Sequence, residues 1–129
     1  MKSNKFFLFI LAIVLIMVIV TSYNLTKISI IEVYETQGFD IKPNTLKKIT
    51  EPADIKVIQK TFRNAKKMSG IPDVIGPDYL VKINSSEYYL WANTDFEQGS
   101  IMKKNDTHTL YIIPSTTEIL EIIKHSNNQ

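Results

Sequence analysis

The run Asn105-Asp106-Thr107-His108-Thr109 sets an imidazole two residues from a carboxylate. A carboxylate that orients an imidazole, which then takes a proton from a hydroxyl, is the core of triad hydrolysis. That chemistry also needs a presented nucleophile, and no G-x-S-x-G turn occurs in the chain. With no Cys at all, thiol nucleophiles, iron–sulfur clusters and disulfides are excluded. Neither His-x-x-x-His nor acids at ligand spacing are present, so no metal and no cofactor is expected. Asp73, Asp78, Asp95, Glu97 and Asp106 all fall in expected turns, and nothing selects two of them as a glycosidase pair. The plainer reading of the run is a turn in which Asp106 and the threonines bond the backbone, with His108 beside it. A non-enzymatic role is therefore expected, and a small hydrolase using His108 with Asp106 is its alternative.

Binding chemistry has two further candidates. Lys56, Lys60, Arg63 and Lys67 recur at steps of four, three and four, which places them on one stripe of a helix, and Lys66 broadens it. Such a stripe suits lipid headgroups or an acidic polymer, although any surface helix is charged on its outer side. Trp91, the single tryptophan, lies in Tyr88-Tyr89-Leu90-Trp91. Strand alternation puts Glu87, Tyr89, Trp91 and Asn93 on one face and Tyr88, Leu90 and Ala92 on the other. In so small a sheet the indole is expected in the core under a helix, and a recognition surface is the other possibility.

These residues need elements to hold them. Ile28 to Thr36 is β-branched and aromatic and reads as a strand, and Gly38, Pro43 and Asn44 lead to a second short strand at Leu46 to Ile49. Thr50 and Pro52 mark a helix start, with Ile55, Ile58, Phe62 and Ala65 on its apolar face and an end near Gly70. Ile71 to Pro77 is a loop, since prolines and a glycine interrupt it. Strands are expected at Tyr79–Ile83, Glu87–Asn93, Ser100–Lys103 and Leu110–Ile113, with Asn84, Ser85 and Ser86 turning the first hairpin. Ser115 to Glu118 matches a capping box, and Ile119, Ile122 and Ile123 give the last helix its core face. The order ββα, strands, α implies an α+β domain, a small antiparallel sheet with two helices packed on one face.

Ahead of that domain, Phe6 to Val20 contains no polar side chain, and with Thr21 to Tyr23 it makes eighteen residues, about 27 Å of helix. That just spans a hydrocarbon core of about 30 Å. Its Leu, Ile, Val and Phe favour insertion by about 4 to 8 kcal/mol. Residues 1–23 are thus expected to be a cytoplasmic tip and transmembrane anchor contacting lipid through 6–23, residues 24–27 a tether, and 28–129 the outer domain. Lys2 and Lys5 put the N-terminus in the cytoplasm by the positive-inside bias, against which Lys27 weighs a little. A signal peptide cleaved near Ser22, giving a secreted protein, is the alternative. Without Lys2 and Lys5, 13 bases face 13 acids, a formally neutral outer domain that argues against nucleic-acid binding. Ile, Lys and Asn supply a third of the chain and Arg occurs once, a bias of AT-rich bacterial genomes. On that ground the N-x-S/T sequons at Asn24, Asn84 and Asn105 are taken as chance.

Three stretches carry a family resemblance. They are Ile49-Thr50 with Asp54-Ile55-Lys56 and Asn64-Ala65-Lys66-Lys67; Gly70-Ile71-Pro72-Asp73 with Pro77-Asp78-Tyr79; and Tyr89-Leu90-Trp91 with Gly99-Ser100-Ile101-Met102 and Asp106-Thr107-His108-Thr109-Leu110-Tyr111. Together they resemble the YhfM-like domain over about Ile28 to Lys124. The resemblance implies a small extracytoplasmic domain of Bacillus-type, Gram-positive cells, anchored or lipid-modified, with no established activity and no catalytic residues to carry over. The chain departs from the lipoprotein form because no Cys follows the apolar run, which favours an anchor helix. The expected function is a membrane-anchored binding or interaction module of the cell envelope that meets another envelope protein or an anionic polymer. Its expected contact residues are Lys56, Lys60, Arg63, Lys67, Trp91, Asp106 and His108. An accessory subunit docking through its transmembrane helix is a further alternative.

Overall fold

A computed structural model describes residues 2–26, 30–70, 72–93, 95 and 97–128. Helix α1 (Lys2–Thr26) carries the apolar run, and its segment Ser3–Ser22, of mean hydropathy 2.7, is long and apolar enough to cross a membrane. Such a helix is compatible with an anchor or with a signal peptide. Lys27, the last residue of the expected tether, and Ile28 and Ser29, the start of the expected first strand, lie outside the described residues.

The remainder is an open antiparallel sheet with two helices, the expected α+β fold. The strands are β1 (Ile31–Gln37), β2 (Asp40–Ile41), β3 (Lys47–Ile49), β4 (Lys66–Lys67), β5 (Tyr79–Ile83), β6 (Ser86–Trp91), β7 (Gly99–Lys103), β8 (Tyr111–Ile113) and β9 (Asn127–Asn128). Eight run in the order β4-β8-β7-β6-β5-β1-β3-β9, and β2 pairs with the far end of β1. Helices α2 (Pro52–Arg63) and α3 (Thr117–His125) both cover the face carrying Ile31, Val33, Val81, Leu90 and Ile101. Ile55 and Ile58 of α2 and Ile119 and Ile123 of α3 are buried there. The opposite face holds Leu80, Tyr89, Met102 and Leu110, covered by Met68 and Val74 rather than by a helix.

Several boundaries differ from the sequence reading, each for a tertiary reason. Helix α2 stops at Arg63, not near Gly70, because Asn64 caps its end and Lys66–Lys67 leave to pair with β8. Its N-cap is Glu51, whose side chain makes no cap bond, and Thr50 stands outside the helix with Pro52 in the first turn. The capping box at Ser115 does not form, since the cap residue is Thr116, fully buried, whose hydroxyl donates to the carbonyl oxygen of Glu97 at 3.2 Å. Ile71 lies outside the described residues.

Asp78 fixes the loop that precedes β5. Its carboxylate accepts from the N–H of Ala92 at 2.9 Å, its own N–H donates to Leu90, and its carbonyl accepts from Thr36. One residue thereby ties three strands at the end of the sheet where β1 finishes. At the same end Gly38, with φ of 63°, turns the chain from β1 into β2, and its backbone passes so close to Gly76 that a Cβ on Gly76 would come within 2.9 Å of it.

Candidate functional site: an aromatic groove with two cations

On the helix-covered face a groove of about 340 Å³ lies beside the last turns of α2. Phe62, Tyr88 and Tyr111 supply its aromatic walls and Ile83 part of its floor. The rings of Phe62 and Tyr88 meet edge to face with centroids 5.2 Å apart, so the wall is set by packing within the fold. Arg63 and Lys103 stand on the lining, and no carboxylate does. Strand register brings them together: Tyr88 pairs with Lys103, and Ile101 next to it pairs with Tyr111. Both cations lack an ion-pair partner among the described residues. Chemically, the groove offers apolar surface for desolvation and two positive charges, of which the guanidinium can form paired bonds to a carboxylate or phosphate.

The expected stripe is only partly a stripe. Lys56, Lys60 and Arg63 are exposed on α2, whereas Lys67 lies on edge strand β4, opposite Tyr111 of the groove, because the helix has ended four residues before it. Periodicity had continued through Ala65, which still packs on the core although it is no longer helical. Of the seven expected contact residues only Arg63 lines the groove.

Asp106 and His108 lie exposed in the turn between β7 and β8. The Asp106 carboxylate accepts from the backbone N–H of His108 at 3.3 Å, so it organises the turn through the main chain of His108 rather than through the ring. The second histidine, His125, forms an exposed pair with Glu121 one helical turn earlier at 3.3 Å, a spacing the sequence reading did not use.

Trp91 occupies the face predicted by alternation, together with Tyr89, but that face is the one without helices. It is half-buried beneath the 72–78 loop, and its indole N–H donates to the carbonyl oxygen of Ile75 at 2.9 Å. The correction has a simple cause: both helices are needed to cover the Ile31–Ile113 face, which leaves the loop for the other. Phe39 reaches the same face and packs edge to face on Tyr89 with centroids 5.3 Å apart.

Along the far rows of that face runs a charged ladder. Register places Glu32 opposite Lys82 and Lys82 opposite Glu87. Glu87 meets both Lys82 and Lys104 at 3.4 Å. The Tyr34 hydroxyl donates to Glu32 at 3.0 Å, and the Lys82 ammonium lies 5.1 Å from the Tyr34 ring centre. Burial first, then the bond to Glu32 and its charge, hold the Tyr34 phenol above its ordinary pKa.

An open antiparallel sheet with both helices on one face, preceded by an apolar helix and carrying a groove without acids, defines a small α+β domain with a ligand-sized concavity. The sequence pattern of the YhfM protein family matches residues 24–129, and the chain belongs to that family, which is uncharacterised. No curated protein and no solved structure matches it.

Proposed function

We propose that the chain is a membrane-anchored, non-catalytic binding module of a Gram-positive-type cell envelope, with its N-terminus in the cytoplasm and residues 28–129 outside. Its contact surface is the groove of Phe62, Tyr88 and Tyr111, and its ligand is an anionic, partly apolar group carried by another envelope molecule. The observation that carries this reading is the pairing of aromatic walls with Arg63 and Lys103 and no carboxylate. An acid-free, cation-bearing cleft favours anions, and the rings supply apolar area that an ordinary solvated helix surface lacks. The apolar segment Ser3–Ser22 and the two lysines ahead of Phe6 support anchoring with the domain outside.

The test is photo-crosslinking in intact cells with the reactive side chain at Gln59, which borders the groove, and in a second strain at Asp106. A discrete adduct from Gln59 that disappears with Arg63→Glu is expected. No adduct from Gln59, or an adduct from Asp106 alone, would overturn the groove as the contact surface.

A further inference from the structure

We propose that the groove end of the outer domain docks on the anionic headgroups of the membrane in which its own helix is held, with Arg63 and Lys103 receiving a lipid phosphate. The inference rests on the anchored reading above and names the ligand of the same groove.

Chain length sets the geometry. From Thr26, the last residue of α1, to Ile30 the chain spans at most about 14 Å, and β1 begins one residue later. The start of β1 is therefore held close to the membrane surface. Ile31 there pairs with Ile83, and Ile83 pairs with Ser86, so this end of the sheet also carries the groove residues Ile83, Tyr88 and Lys103. The other end, with Phe39 and the 83% exposed Ile75, is about 23 Å further along β1.

Charge points to the same groove. Lys56, Lys60, Arg63, Lys66, Lys67 and Lys103 have no ion-pair partner among the described residues, and they border α2, β4 and the groove. Lys82 and Lys104 at this end share the single carboxylate of Glu87. The acids Asp40, Asp73, Asp78, Asp95 and Glu97 lie on β2 and on the loops of the opposite end, while Glu51 and Asp54 at the start of α2 and Asp106 in the turn after β7 lie at the tether end. Within this end the groove is the cationic part, lined by Arg63 and Lys103 with no carboxylate. Near an anionic leaflet each such cation favours the docked state by about fivefold. The tether makes docking intramolecular, so contacts too weak for a free domain suffice.

The absence of Cys allows a direct test on the full chain in lipid nanodiscs. A fluorophore is attached to Gln59→Cys, to Ile75→Cys or to Leu15→Cys, with a headgroup quencher in discs of phosphatidylcholine alone or mixed with phosphatidylglycerol. The expected result is strong quenching at Gln59 on the anionic discs only, lost with Lys60→Glu/Arg63→Glu, and weak quenching at Ile75 on both. Equal quenching of Gln59 on neutral discs, or Ile75 quenched as strongly as Gln59, overturns the proposal. So does a Gln59 label that ignores anionic discs yet responds to soluble polyphosphate, which would assign the groove to a free polymer. The Leu15 label is shielded from a soluble quencher when α1 spans the disc. Its exposure would mean that the anchored reading itself had failed.

Discussion

The indole N–H of Trp91 donates to the carbonyl oxygen of Ile75 at 2.9 Å, joining the end of β6 to a loop that no strand pairing holds at that point. The same loop packs Val74 over Leu80 and Met102 on the face the helices leave bare. Trp91→Phe keeps a ring on that face and deletes the bond. A loss of about 0.5 to 1.5 kcal/mol in stability is expected, read from denaturant unfolding followed by far-UV circular dichroism. An unchanged midpoint would show that packing alone seats the loop.

Two glycines test close approach against backbone conformation. A Cβ at Gly99 would overlap the methyl of Thr116 and the carbonyl of Trp91, and β7 cannot withdraw because Gly99 pairs with Ile113. At Gly38 a Cβ meets open space but φ is 63°, which costs an L-residue about 1 to 2 kcal/mol. Gly99→Ala is expected to lower the melting temperature more than Gly38→Ala. The reverse order would mean that Thr116 moves away at little cost.

Alkali should weaken the fold through Tyr34 and Tyr79. Burial is the main cause that raises both phenols above 10.0, reinforced by Glu32 at Tyr34 and by Glu35 and Asp78 at Tyr79. A folded-state pKa above the unfolded one means the folded chain keeps protons that the unfolded chain releases. The resulting stability is full below about pH 10 and is lost as pH rises through the folded values. Denaturation midpoints measured across this window should fall, and fall less in Tyr79→Phe. A midpoint independent of pH there would contradict the burial of these hydroxyls.

His108→Ala should change stability by no more than about 0.5 kcal/mol and leave any Gln59 adduct intact, because the Asp106 carboxylate holds the main chain at 108. Loss of the cellular phenotype in a folded His108→Ala protein would restore the hydrolase alternative.

Local pattern revealed the strands whose side chains alternate over four or more residues, such as Tyr79–Ile83, where Val81 enters the helix-covered core and Leu80 the other. It also gave the core faces of both outer helices, Ile55 with Ile58 and Ile119 with Ile123. It was silent on β2, β4 and β9, two-residue strands that exist only because a longer partner presents free backbone groups. The end of α2 escaped for the same reason, since pairing of Lys66 and Lys67 with β8 overrides a helical period that runs on to Ala65. Most of the groove was hidden too. Alternation separates Tyr88 from Trp91, but bringing Phe62, Tyr88, Lys103 and Tyr111 together requires the strand order, which no local spacing encodes. Arg63 was reached only through its charge.

The groove can meet an envelope ligand only if α1 stays on the chain and the domain lies outside. With Ile75→Cys as the sole thiol, a membrane-impermeant maleimide applied to intact cells reads both points when the labelled protein is weighed intact. Labelled chain of full mass in the membrane fraction is the predicted result. Label that appears only after lysis, or a labelled chain beginning after Ser22, would contradict the anchored binding module.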